Sequence, residues 1–225
     1  MMPLRKELEF VLGAYTRLGH RALGSPLGRL QVVRLPDLGL TLASGGTGKA
    51  QFALQTQHLL DTDSGWGLVI CAGAAGALAD DVAVGDVIVA TATLEHDYQN
   101  KFNSRPMPRF EGAPAAIAEL RLVSAQRSFG VHFGTVASGD EDVVDHARRL
   151  ALCRQTKALA VAWEGAGGAR ACRFSRVPFL EIRGITDTAG STAPSDFDQN
   201  LELAMTNLAN LVLSWTDLRL KRQAH

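Results

Sequence analysis

Short runs of almost continuously apolar residues alternate with segments of helical period along most of the chain, and this alternation limits the fold more than any other feature. The runs cover residues 30–35, 38–43, 67–71, 86–93, 131–137, 159–163 and 178–185. Strands that are apolar at every position, and not only at every second one, are covered on both faces. Between them lie helical patterns at 49–60, 113–128, 142–152 and 166–174. Strand followed by helix, repeated, predicts an α/β sheet with helices on both sides. Near the C-terminus, Leu201, Ala204, Met205, Leu208, Leu211, Val212, Trp215 and Leu218 recur every three or four residues, the mark of a helix with one apolar stripe. Asp196 and Asp198 at its start and Arg219, Lys221 and Arg222 at its end complement the helix dipole.

With 225 residues, 46% of them hydrophobic, the chain can bury a sizeable core, and no repeat or linker divides it, so one domain over 1–225 is expected. Its 23 basic and 23 acidic residues cancel, which leaves no electrostatic footprint for nucleic acid or an anionic membrane. No apolar run approaches the roughly 20 residues of a membrane helix, and the polar opening through Glu7 lacks the apolar core of a signal peptide, so a cytoplasmic protein is expected. Cys71, Cys153 and Cys172 are odd in number and widely spaced among small or apolar neighbours, as suits reduced, buried thiols. The histidines form no metal-spaced pair, and no metal or cofactor is expected.

Two glycine-rich segments draw attention. Ser44-Gly45-Gly46-Thr47-Gly48-Lys49 stands at a strand-to-helix junction, but its spacing is not that of a triphosphate-binding loop. Its glycines allow either a tight turn or close approach of backbone to a ligand. Cys71-Ala72-Gly73-Ala74-Ala75-Gly76-Ala77-Leu78 has Cys71 where a dinucleotide fingerprint needs its first glycine. It reads as a bare backbone loop at the carboxyl end of a strand, where open α/β sheets bind ligands. Glu164 and Asp187 end two apolar runs, and adjacent parallel strands would aim both into one crevice; a turn or helix-start role fits them equally well. Glu141 and Asp142 precede a helical pattern and read as helix-capping acids, while His96-Asp97 reads as a hydrogen-bonded pair at a strand end.

From about residue 40 to the C-terminus the chain resembles the purine nucleoside phosphorylase and methylthioadenosine/S-adenosylhomocysteine nucleosidase superfamily, and its nucleosidase branch more closely. The resemblance is carried by the first glycine segment, by Ala72–Leu78 followed by Val84-Gly85-Asp86-Val87, by Ala137-Ser138-Gly139-Asp140, by Ala162-Trp163-Glu164-Gly165-Ala166, and by Val177-Pro178-Phe179 through Ile182-Arg183-Gly184-Ile185-Thr186-Asp187. It implies a three-layer α/β fold with a central mixed sheet flanked by helices, and cleavage of the N-ribosidic bond of a purine nucleoside.

By the same resemblance, Asp187 is the general acid that protonates N7 of the departing purine, with Thr186 and Arg183 orienting or tuning it. To stay protonated near pH 7, an Asp must rise about three units from ~3.9, which requires desolvation. Glu164 accepts hydrogen bonds from the ribose hydroxyls, Trp163 stands where relatives place a methionine beneath the ribose, and Phe197 is an aromatic that encloses the substrate. Gly46 and the run Gly73, Ala74, Ala75 and Gly76 bring backbone to the ligand, and Asp142 stands among the purine contacts. Cys71 and Ala74 occupy positions where phosphorylases carry an Arg and a Ser for phosphate, which favours water as nucleophile, with Glu7 as the hydrolytic base. Few residues precede Glu7, too few for a full first strand.

Methylthioadenosine, S-adenosylhomocysteine and futalosine-like ribosides are the implied substrates. The alternatives are a phosphate-dependent phosphorylase, including one for adenosylhopane-type ribosides, and a nucleoside-binding protein without turnover. The family also implies a homodimer, for which residues 100–112, with Phe102, Met107 and Phe110 among basic residues, are the candidate surface.

Overall fold

The computed structural model describes residues 1–103, 105–125 and 127–223. Helix α1 (Arg5–Arg17) is followed by the antiparallel strands β1 (Leu23–Leu27), β2 (Leu30–Leu35) and β3 (Leu40–Ala43), which form a small sheet of their own. Then come α2 (Lys49–Thr62), β4 (Val69–Ala77), β5 (Val87–Glu95), β6 (Arg109–Glu111), α3 (Pro114–Ser124) and β7 (Val131–Ser138). The chain continues through α4 (His146–Thr156), β8 (Ala160–Ala162), α5 (Gly165–Ser175), β9 (Phe179–Asp187) and the long α6 (Ala193–Gln223).

The main sheet runs β6-β5-β7-β8-β4-β9, and β9 pairs back onto β5, so the mixed sheet closes into a barrel with β6 attached outside. Pairs β4–β9, β5–β7 and β7–β8 are parallel, whereas β4–β8 and β5–β9 are antiparallel. Helices cover the outside: α1 and α6 bury Val11, Tyr15, Leu201, Met205, Leu208 and Trp215 against β4, β5 and β9, and α2 and α5 pack Phe52, Ala166 and Cys172 on another flank. The three cysteines are free thiols, Cys71 and Cys172 buried.

Two expectations need correction, and one helix was not expected. The glycine-rich stretch after Cys71 is not a loop: β4 continues through it to Ala77, paired with β9 through Gly76 and with β8 at Gly76 and Ala77, and an added Cβ at Gly73 would meet Glu7, Pro3 and Arg183. The polar opening folds into α1, whose buried positions Leu8, Val11, Ala14 and Tyr15 carry the three- to four-residue spacing. Ahead of it Met2 makes an isolated parallel bridge to Ser44, and the Ala72 amide donates to the Met1 carbonyl, which ties the small sheet to β4. Finally, the helix expected from 142 starts at His146, and its cap is neither Glu141 nor Asp142: the Asp145 carboxylate accepts from the Arg148 amide at 2.8 Å.

Candidate active site

A cavity of about 460 Å³ opens at the carboxyl end of β4, within the usual size of small-molecule sites, about 300–1,000 Å³. Three buried carboxylates reach it from three parts of the chain, Glu7 from the first turn of α1, Glu164 from the β8–α5 junction and Asp187 from the end of β9, and the less buried Glu141 and Asp142 also line it. Glu164 and Asp187 do meet there, although not from adjacent parallel strands. Strand β4 lies between β8 and β9, and β8 runs antiparallel to it, so the two acids approach from opposite directions along β4.

Asp187 is buried, and desolvation holds its carboxyl above the ordinary aspartate range. Its Oδ2 accepts from the Thr186 hydroxyl and its Oδ1 from the Ala189 amide, both at 2.8 Å, so the side chain is fixed in orientation. Gly76 lies beneath it, where an added Cβ would stand 2.7 Å from Oδ1. Arg183 does not touch Asp187, contrary to the sequence expectation. Its Nε donates to Glu181 at 2.8 Å, one Nη to the Ala74 carbonyl at 3.2 Å and the other to Glu164 at 3.2 Å and to the Cys71 sulfur at 3.3 Å.

Glu164 takes that bond on Oε2, and its Oε1 accepts from the Gly48 amide at 3.2 Å, at the N-terminus of α2. The first glycine segment therefore serves a protein carboxylate with its backbone. Glu7 is only 2% exposed. One of its oxygens accepts from the Ala74 amide at 2.7 Å and the other from the Leu4 amide at 2.8 Å, so the same carboxylate caps α1 and reaches across to β4. Burial pushes its pKa up to about 7, against the opposing pull of those amides and of Arg183.

Of the remaining expected site residues, Ala74, Ala75, Gly76, Asp142, Trp163, Thr186 and Phe197 line the cavity. Gly46 and Gly73 do not. Gly46 turns beside Gln51, and Gly73 lies behind the wall, where a Cβ would press on Glu7, Pro3 and Arg183. His96-Asp97 is not a hydrogen-bonded pair either: neither ring nitrogen of His96 has a hydrogen-bond partner, and Asp97 instead binds Lys49. Sequence reasoning missed Glu181 and Thr93, which lie deeper in the barrel. The signal was present, since Glu181 is an acid in the middle of an apolar run.

A buried acid raised by desolvation, a second buried carboxylate raised to about 7 and a third paired with Arg183 line one cavity, a set suited to acid–base cleavage of a glycosidic bond. Comparison with known proteins agrees. The model of the phosphorylase superfamily matches residues 5–215, and the chain belongs to that family, in its nucleosidase-like branch. It is 31% identical over 187 residues to the 5′-methylthioadenosine/S-adenosylhomocysteine nucleosidase of Bacillus pumilus, covering 79% of this chain and 80% of that one. The nucleosidase of the same name from Bacillus subtilis is 33% identical over 181 residues, or 76% and 78% of the two chains. Among solved structures, a Helicobacter pylori nucleosidase with an Asp-to-Asn substitution and 5′-methylthioadenosine in its active site superposes with a TM-score of 0.84 at 26% identity, over 96% of both chains. The Helicobacter pylori futalosine hydrolase superposes at 0.82, also at 26% identity, over 96% of this chain and 95% of that one.

Proposed function

We propose that this nucleosidase hydrolyses 5′-substituted purine ribosides of the methylthioadenosine, S-adenosylhomocysteine or futalosine kind, with Asp187 as general acid, Glu7 as general base and Glu164 as the ribose clamp. The observation that carries this reading is the convergence of three buried carboxylates on one cavity, Asp187 and Glu7 raised by desolvation and Glu164 paired with Arg183. Asp187 gives its proton to N7 as the bond from C1′ to N9 breaks, so the bonding electrons leave with a neutral base. Water attacks C1′ and loses its proton to Glu7, and the products are the free purine and the sugar. Glu164, paired with Arg183, accepts from the ribose hydroxyls and favours the positive charge that develops on the sugar. Trp163, Ala74, Ala75, Gly76, Asp142 and Phe197 form the walls, and the relatives' named substrates support the substrate class.

Water is favoured over phosphate by how Arg183 is used. Phosphate recognition needs free guanidinium donors. Those of Arg183 go to Glu181, Glu164, the Ala74 carbonyl and Cys71, and the side chain is 1% exposed. The test is a panel of purine ribosides incubated with the purified protein, with and without inorganic phosphate. Release of base without phosphate is the expected result. Release only with phosphate would establish a phosphorylase, and binding without release a protein that has lost turnover.

Glu164→Gln is expected to lower kcat/KM about 100-fold, since an amide sets an N–H against either the Gly48 amide or Arg183 and removes the charge under the sugar. Steady-state kinetics on the best riboside checks it, and a loss below threefold would remove Glu164 from the clamp.

The chain further reads as one nucleosidase domain that forms a homodimer in the cytoplasm. Residues 100–112 are the candidate dimer surface, in which Phe102 is 98% exposed, whereas Phe110, expected on that surface, is buried in the protein. Ser104, within that segment, lies outside the described residues. No helix among the described residues is long and apolar enough to cross a membrane.

A further inference from the structure

Glu181 is a buried carboxylate that the proposed reaction does not use. It sits in mid-β9, fully out of solvent, and the structure is built around it from three directions. Its Oε1 accepts from Arg183 Nε at 2.8 Å, and its Oε2 accepts from the Thr93 hydroxyl on β5. At the start of α5, Gly165 leaves the space the carboxylate occupies, since a Cβ there would sit on the carboxyl group itself. Burying a carboxylate in a barrel is unfavourable unless it is paired and hydrogen-bonded. An apolar residue would fill the same volume without needing a hydroxyl, a guanidinium and a missing Cβ around it.

The consequence falls on Arg183. Its guanidinium bridges two acids, Glu181 by the Nε edge and Glu164 by one Nη. With Nε on Glu181 and one Nη on the Ala74 carbonyl, only the other Nη reaches Glu164, so one Glu164 oxygen is left with the Gly48 amide. Glu181 also places a negative charge next to a positive one that acts on Glu7. The charged and titratable groups facing Glu7 are Arg183 from β9 and Glu164 from the α5 start, and it also meets the amides of Ala74 and Leu4. Those facing Glu181 are Arg183 and the Cys71 thiol from β4, with the Thr93 hydroxyl from β5.

We propose that Glu181 is a positioning residue for hydrolysis: it fixes Arg183 by its inner edge and offsets its charge, so that Arg183 braces Glu164 without making Glu7 too weak a base. This inference rests on the assignment of Glu7 as base and Glu164 as clamp. It predicts a signed change. Without the negative charge at 181, the field of Arg183 at Glu7 is less opposed, and Glu7 ionises at lower pH.

The experiment is the pH profile of kcat/KM for Glu181→Gln, which keeps the shape and can still accept one hydrogen bond. The acid limb is expected to move down by about half a pH unit or more, with kcat lowered about tenfold. A purely structural Glu181 would lower thermal stability and leave the limb in place, and an unmoved limb overturns the proposal. Gly165→Ala keeps the charge but displaces the carboxylate. It is expected to lower kcat severalfold with the limb near its parental position, and it serves alone if Glu181→Gln fails to fold; unchanged kcat in a folded Gly165→Ala protein also overturns the proposal. Glu7→Gln run alongside separates the two levels. If it retains hydrolysis, the base assignment fails; if it is inactive while Glu181→Gln leaves the limb unmoved, only the role of Glu181 fails.

Discussion

Asp187→Asn is expected to slow purine release about 1,000-fold while leaving the protein folded and able to bind substrate. General acid catalysis contributes about 10²–10⁴-fold, and the purine is a leaving group that departs poorly as an anion. The substitution removes the proton and little else. An asparagine keeps an oxygen for the Ala189 amide, and the Thr186 hydroxyl can rotate to accept from the new NH₂ group. The space above Gly76 stays filled, so melting temperature is expected to change little. The decisive control is a riboside whose leaving group is stable as an anion, such as 4-nitrophenyl riboside. If Asp187 acts as acid, Asp187→Asn loses far less on that substrate than on a purine riboside. Equal losses on both would mean that Asp187 shapes the pocket and does not donate the proton.

Asp187 and Glu164 were legible because each interrupts a pattern that has no other use for a charge: an apolar run ends, and an acid begins the next segment. Their convergence on one cavity followed, but the route to it did not. Strand order in a closed, mixed barrel is set by which edges meet across the whole chain, and nothing within residues 159–187 announces that β4 lies between β8 and β9. The same limit explains the misreading of residues 72–77. Alanine and glycine are weak strand formers, and only the contacts that β8 and β9 make with β4 decide that a strand continues there.

Arg183 shows how sequence distance misleads. Four residues along an extended strand span about 13 Å, so its closeness to Asp187 in the sequence placed it far from that carboxyl in space. Glu181, two residues away on the same face, is its real partner. Glu7 was reached only through family resemblance. Without it, Leu4-Arg5-Lys6-Glu7-Leu8 reads as an ordinary polar helix start, and in part it is one, because the carboxylate caps α1 through the Leu4 amide. What the residues alone do not disclose is that its other oxygen crosses to β4.

That double attachment is why Glu7→Gln is expected to change both activity and the pH dependence of stability. A carboxyl raised from 4.5 to about 7 binds its proton more tightly in the folded state than in the unfolded one. The stability it confers is therefore fully present below about pH 4.5 and is lost as pH rises through about 7. At about 1.4 kcal/mol per unit, the difference amounts to roughly 3 kcal/mol between the two limits. Chemical denaturation of the parent at pH 5 and pH 8 is expected to show that decline, after the other titrating groups are accounted for, and Glu7→Gln is expected to flatten it. The same variant should lose hydrolysis at least 100-fold, and whatever rate remains should no longer rise through pH 7. The two measurements check one cause. On the proposed assignment the base must be ionised to work while its burial makes ionisation unfavourable, so reactivity is expected to rise over the same pH interval in which stability falls. A Glu7→Gln protein that kept the parental slope would show that Glu7 is solvated in solution and that its pKa, and with it the acid limb of catalysis, has another origin.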